Sequence, residues 1–505
     1  MSNANTPGSA YEKLNQAFKE IHYLKEIASL LGWDQEVMMP KGGASQRAEQ
    51  TAYLKKVIHE KITAPQIGDY LDTLSETDGN TFSAPQLADI REAKRTYTRA
   101  TAVPSDLVEE IARLEVKSAQ TWMQARKDND FESFAPLLQE TVEKRKAYAD
   151  CIRGEKSRYE ALLDEYEPGE SEEDLKILFE DLRDGMAPIL EKIRASSTQP
   201  STQHLRGNFP IEKQKLFNKA LIQQLGYNTE EGRLDTSTHP FCSGSGGDVR
   251  ITTRYEHEDL TGALFGTIHE TGHALYEQGI NRERIAYPAG GFASLGLHES
   301  QSRLWENQVA RSLPFWKHFY PKLQDTFPQT FSKMPLEQFW KNINQVTPSL
   351  IRTEADEITY NYHIIIRFEL ESALIRGDLF VQELPEAWNN KYKHYLGVTP
   401  EDYATGCLQD IHWAAGFLGY FPTYTLGNLY SSQFFAQIKL EISDLDEQIA
   451  NGEFKQLREW LRTKLHHHGH TYSAKELCKR TTKQNLSTKP FLSYIQDKYY
   501  DIYNI

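Results

Sequence analysis

The chain has 505 residues, a quarter of them charged, and acidic residues outnumber basic ones 71 to 57 for a net charge of −14. That balance disfavours a nucleic-acid backbone, which needs clustered Lys and Arg, and disfavours anionic lipid. Mean hydropathy is −0.61, no apolar run approaches the ~18 residues of a membrane span, and the four cysteines have no metal spacing, so they read as reduced thiols of a cytoplasmic protein.

Residues 1–10 are polar and lack the apolar core of a secretory signal. Leu14, Phe18, Ile21, Leu24, Ala28 and Leu31 then recur at spacings of three and four, which predicts a long helix. Trp33-Asp34, then Met38-Met39-Pro40-Lys41-Gly42-Gly43, breaks it as a turn. Leu107, Ile111, Leu114 and Trp122 predict a further helix, and residues 134–166 carry the dense Lys, Arg and Glu of a solvated face. Between 200 and 256 the pattern changes. Residues 202–208, 232–236 and 248–255 read as short strands, with Gly244-Ser245-Gly246-Gly247 as a flexible turn. A helix is expected over 259–279, a loop with Gly and Pro over 287–296, and another helix from about His298. Helices then follow to the C-terminus, with breaks near Pro348, Gly377, Pro400 and Pro422. The run His466-His467-His468-Gly469-His470 reads as the end of a helix, where cations and Gly are favoured, rather than as a metal site. There is no internal repeat and no long linker. We expect one mainly α domain over 1–505, with a helical N-terminal part to residue 200, a catalytic part from 201, and a small β-sheet beside the 259–279 helix.

The 259–279 helix holds His269-Glu270-Thr271-Gly272-His273. Side chains four apart share a helix face, so His269 and His273 offer two imidazoles to one cation. Zn²⁺ takes such nitrogens at about 2.0–2.1 Å and keeps a place for water when the protein supplies three groups. Glu270, one step around the helix, is placed to take a proton from that water. The competing interpretation is a pair of hydrogen-bonded core histidines on an apolar helix. The extended arrangement with a third histidine fails, because Tyr276 and Gly279 stand where Gly and His are needed. A glutamate on the following helix is the alternative, with Glu299 the best candidate, His298 its rival, and Glu306 and Glu277 weaker ones.

Five further strings stand in order: His239-Pro240-Phe241, Asp248-Val249-Arg250-Ile251-Thr252, His298-Glu299-Ser300-Gln301, Ile351-Arg352-Thr353-Glu354-Ala355-Asp356, and Gly406-Cys407-Leu408-Gln409-Asp410-Ile411-His412-Trp413. With the His-Glu-x-x-His string, they make the chain resemble the carboxypeptidase Taq family of metallocarboxypeptidases over nearly its whole length. The resemblance implies a large helical metallopeptidase fold, like that of neurolysin and angiotensin-converting enzyme, with a deep substrate groove. It implies His269, His273 and Glu299 as metal ligands and Glu270 as general acid and base. Zn²⁺ is the expected ion, with Co²⁺ or Mn²⁺ able to take the same ligands. It also implies release of single C-terminal residues with broad tolerance, poor release near proline, and a homodimer.

Roles for the other strings follow from the chemistry. A planar guanidinium matches a terminal carboxylate, and the resemblance favours Arg352 for that task over Arg250. Pairing of Arg352 with Asp356 or another core acid is the structural alternative. Asp248, Arg250 and Thr252 alternate along a strand and are expected to line the peptide groove. His239, Gln409 and Tyr424 complete the expected substrate contacts. Tyr420, by analogy with related peptidases, and His412 are candidates for stabilising the oxyanion. Arg303 occupies the position where many such peptidases place a supporting Asp, so Asp410 is the candidate outer partner of the ligand histidines. An endopeptidase or dipeptidase on the same site, and a non-catalytic peptide-binding scaffold, are the rival functions.

Overall fold

The computed structural model describes residues 6–505. The polar stretch read at residues 1–10 therefore lies partly outside the described residues. No described helix is long and apolar enough to cross a membrane. The chain divides into two compact units, each built from three segments. One unit contains the segments ending at Thr101, Ser201–Ile343 and Tyr430–Leu486. The other contains Ala102–Pro200, Asn344–Leu429 and Ser487–Ile505.

The first unit opens with α1 (Pro7–Val37), whose start is set by Thr6: its Oγ1 accepts from the Ser9 N–H, and Pro7 has no N–H to leave unpaired. The predicted stripe on α1 buries Leu14, Phe18 and Ile21 against Ile67, Leu71 and Leu74 of the helix Pro65–Ser75. The helix runs unbroken through Trp33 and Asp34, so the expected break begins only at Met38–Gly43, with a 3₁₀ turn at Lys41–Gly43. Residues 202–208 do not form a strand. Thr202–Leu205 is a 3₁₀ turn, because the Ser201 Oγ accepts from the Gln203 N–H and gives the backbone a local alternative to a ladder.

Three strands do form: β1 (Gly232–Thr236), β2 (Cys242–Ser243) and β3 (Val249–Thr253), ordered β1-β3-β2. The β1–β3 pair is parallel and sets Arg233 beside Arg250 and Leu234 beside Ile251; β2 runs antiparallel to β3. Trp33 at the end of α1 receives both guanidiniums on its ring, at 5.0 Å from Arg233 and 4.2 Å from Arg250. That pair of cation–π contacts ties α1 to the sheet.

Helix α2 (Thr261–Gly279) follows β3 and packs against it. Asp259 starts it: one carboxylate oxygen accepts from the Thr261 N–H and Oγ1. Its buried residues lie on every face, the pattern of a helix enclosed in a core. The loop that follows is anchored by buried Asp89, which accepts from the Arg284 guanidinium, the Ala289 N–H and the Tyr11 hydroxyl. Ser294 then caps α3 (Leu295–Arg303) by accepting from the Leu297 N–H. The chain continues as a π-helical segment, Leu304–Ala310. Gly272 lets α2 and α3 touch: a Cβ there would stand 2.6 Å from the Gln301 carbonyl oxygen and 2.6 Å from the Ser302 Cα.

The second unit is helical. Its internal ties include the Trp122 indole N–H donating to the Leu408 carbonyl, and buried Glu371 accepting from the Tyr159 hydroxyl and the Trp413 indole. Asp356 accepts from the N–H groups of Ile358 and Thr359 and so starts the helix Thr359–Arg376.

Candidate active site

Helices α2 and α3 bring His269, His273 and Glu299 together. Their ligand atoms all lie within 4.8 Å of one another, and among the described residues no other trio of His, Cys, Asp and Glu does so. The Nε2 atoms of His269 and His273 stand 3.6 and 3.3 Å from Glu299 Oε2. Donor atoms held tetrahedrally at zinc bond lengths are separated by about 3.3–3.4 Å. The spacing and the donor set, two imidazoles and one carboxylate, therefore fit a divalent ion.

The electrostatics suit ligation. Burial holds His273 down to about 3, so it is a neutral imidazole with a lone pair to offer. Burial also opposes charge on His269, but Glu299 and Glu306 outweigh it and raise its pKa. Glu299 is held well below the usual carboxylate range despite its burial, chiefly by Arg303. The Arg303 Nε donates to Glu299 Oε1 at 2.7 Å, which leaves Oε2 as the oxygen facing both histidines. Glu270 is buried beside them, and burial lifts its carboxyl to about 7. A carboxyl with that proton affinity both takes and returns protons near neutrality.

The outer partner of His269 is Glu306, whose Oε2 meets Nδ1 at 2.9 Å. Asp410 is not an outer partner; it belongs to the second unit and is engaged by two arginines. Its Oδ1 accepts from Arg352 Nε and Nη2, at 3.0 and 2.8 Å, and its Oδ2 from Arg367 Nε at 2.6 Å. Arg352 also donates to the Tyr360 hydroxyl at 2.9 Å. Burial together with these guanidiniums keeps His412 uncharged, at about 3. Two guanidiniums face the one Asp410 carboxylate in this buried group, and Arg367 also opposes the burial that raises the pKa of Glu371.

Comparison with known proteins places these features in one family. Residues 13–499 match the carboxypeptidase Taq (M32) metallopeptidase family. The chain belongs to the M32 metallocarboxypeptidases. It is similar to thermostable carboxypeptidase 1 of Thermus thermophilus, at 42% identity with 99% of this chain and 100% of the relative covered. It is also similar to carboxypeptidase 1 of Bacillus subtilis, at 37% identity with 98% and 99% covered. A crystal structure of an M32 carboxypeptidase from Deinococcus radiodurans R1 superposes with a TM-score of 0.95, at 36% identity, covering 98% of this chain and 100% of that one. The protein is thus a metal-dependent peptide hydrolase of mainly helical fold.

Within this M32 carboxypeptidase the other expected residues take varied positions. Asp248 and Arg250 pair with each other through two hydrogen bonds, at 2.7 and 2.8 Å. Thr252 is buried, and its Oγ1 accepts from the Phe241 N–H and meets the Ser237 hydroxyl, so it holds the turn that carries exposed His239. Gln409 accepts from the Arg352 N–H and donates to the Leu350 carbonyl. The His412 Nε2 lies 3.3 Å from the Tyr424 hydroxyl, while its buried Nδ1 has no hydrogen-bond partner. Tyr420 packs edge-on against Tyr166 and Tyr424. His298 spends both nitrogens on protein groups, His273 and Glu277. His466 donates from Nε2 to the Gln301 side chain behind α3, as a structural group.

The sequence reading did not pair Glu306 or Arg303 with the candidate ligands. The spacing held a signal: Arg303 and Glu306 follow Glu299 by four and seven, the interval that returns to one helix face.

Proposed function

We propose that this metallocarboxypeptidase binds one Zn²⁺ through His269, His273 and Glu299 and releases single C-terminal residues with broad side-chain tolerance and poor release near proline. The observation that carries the reading is the convergence of two inward Nε2 atoms and one Glu299 oxygen at ligand spacing, with Glu270 buried beside them. An ion bound there supplies Lewis-acid polarisation of a carbonyl and a lowered pKa for water. Glu270 takes the proton from the attacking water and returns it to the departing amine. Arg352 is the proposed anchor for the terminal carboxylate. The clustering of its guanidinium with that of Arg367 at the single Asp410 carboxylate supports that role, since paired guanidiniums favour a further carboxylate. Tyr420, Tyr424 and His412 are the proposed donors near the oxyanion, and Gln409, Arg250, Asp248, Thr252 and His239 the proposed groups lining or shaping the peptide site.

The test is product analysis of one peptide in two forms, free acid and C-terminal amide. Stepwise loss of single residues from the acid, with the amide cleaved at least tenfold more slowly, is expected. Equal cleavage of both would favour an endopeptidase. The resemblance further supports a cytoplasmic homodimer. Sedimentation should then give a species of twice the 58.1 kDa chain, and a lone 58.1 kDa species would remove the dimer.

A further inference from the structure

His298 stands directly before Glu299 on α3, and its imidazole lies between the second ligand histidine and a carboxylate. Its Nδ1 is 2.6 Å from His273 Nδ1, and its Nε2 is 2.9 Å from Glu277 Oε1. The His273 and His298 ring planes are 22° from parallel, with centroids 4.6 Å apart. Phe292 and Tyr276 pack around the His298 ring, at centroid distances of 4.8 and 5.2 Å.

We propose that His298 and Glu277 are positioning residues for the metal site, forming a one-way chain of proton donation from His273 through His298 to Glu277. The inference rests on the ligand assignment above. The direction follows from the ligand atom. His273 turns Nε2 toward Glu299 Oε2, 3.3 Å away. A ligating nitrogen carries no proton, so the neutral ring holds its proton on Nδ1. Two nitrogens 2.6 Å apart share one proton between them, so His298 must accept at Nδ1. The His298 proton then sits on Nε2, where the Glu277 carboxylate accepts it. Every hydrogen in the chain is assigned by that one condition.

The two ligand histidines are therefore supported unequally. His269 donates straight to a carboxylate, Glu306. His273 reaches its carboxylate only through a second imidazole. Outer partners of this kind fix the ring orientation and tautomer of a ligand and raise its donor strength. His298 also adjoins Glu299 in the chain, so the same side chain couples the ring of one ligand to the backbone of another.

The test reads metal binding rather than turnover. Zn²⁺ affinity of the full chain is measured by competition with a chromophoric chelator, and the Co²⁺ form by its visible d–d bands. His298→Ala should weaken Zn²⁺ binding by about 10–100-fold and shift the Co²⁺ bands. His298→Gln, which restores an acceptor for the Nδ1 proton, should recover most of that loss. Glu277→Gln should weaken binding in the parent but cost nothing more in the His298→Ala background, because its effect passes through His298. Should His298→Ala fail to fold, His298→Phe, which keeps the ring without its nitrogens, takes its place in the same comparison with Glu277→Gln. Parent-like affinity with unchanged Co²⁺ bands in His298→Ala, or an equal cost for Glu277→Gln with and without His298, overturns the chain of donation. A parent protein that binds no ion overturns the ligand assignment together with it.

Discussion

At Glu270 two requirements compete. Burial raises its carboxyl to about 7, whereas a base must give up its proton before it can act. The candidate ligand histidines, His269 and His273, flank it on the same helix, so a cation held by them would favour the carboxylate form. Glu270→Gln should keep the ion and lose roughly 10²–10⁴-fold in kcat, the usual worth of a general base. A variant with parent kcat would take Glu270 out of the reaction. In the other unit, Glu371 makes a separate prediction about stability. Burial lifts its carboxyl to about 7, against about 4.3 in an unfolded chain. Below about pH 4 both states hold the proton and nothing is lost. Between about pH 4 and 7 the unfolded chain has released it while the folded one keeps it, so stability falls as pH rises. Above about 7 the loss is complete, at roughly 4 kcal/mol. Glu371→Gln keeps an amide among Tyr159 and Trp413 and removes the titration. Its melting temperature should pull ahead of the parent's as pH rises from about 4 to 7; parallel curves would contradict this.

At the level of elements, the candidate metal trio depends on how closely α2 and α3 approach. Gly272 sets that approach, because a Cβ would overlap the backbone at Gln301 and Ser302. Gly272→Ala should force the helices apart, cost about 1–3 kcal/mol of stability, and weaken ion binding by separating the His and Glu ligands. Gly262→Ala on the same helix meets nothing within 4 Å and is expected to be neutral or slightly stabilising. Similar losses in both variants would mean that helix crossing does not govern the site. The two histidines were legible in the sequence because their relation is local, one helical turn apart. Glu299 became a candidate when the third-histidine pattern failed. The relation of His298 to His273, and of Glu306 to His269, was not legible, because each partner lies on α3 or its π-helical continuation, and only the crossing at Gly272 brings it to α2. The strand expected over 202–208 failed for a local reason, the hydrogen bond from Gln203 to Ser201. The strands at 232–236 and within 248–255 succeeded because the Leu234 and Ile251 positions pair across the parallel ladder.

For the whole molecule, composition disfavoured some partners without naming one. A net charge of −14 argues against nucleic acid and anionic lipid, yet says nothing of peptide hydrolysis. The functional reading came from strings spread between His239 and Trp413, each short and weak alone. Folding puts the first three, with the His-Glu-x-x-His string, in one unit and the Arg352 and Gln409 strings in the other. Arg352 shows the limit of reading such strings. Its sequence suggested a structural pairing with Asp356 or another core acid; Asp356 starts a helix, and the core acid that receives the guanidinium is Asp410. That exchange depends on a residue 58 positions further along the chain, beyond any local pattern. The central claim is that His269, His273 and Glu299 hold one divalent ion, and elemental analysis of purified protein tests it most directly. The parent should carry about one equivalent of Zn²⁺ per chain after dialysis, and folded Glu299→Ala less than about a tenth of that. A full equivalent retained by Glu299→Ala, or none in the parent, would contradict it.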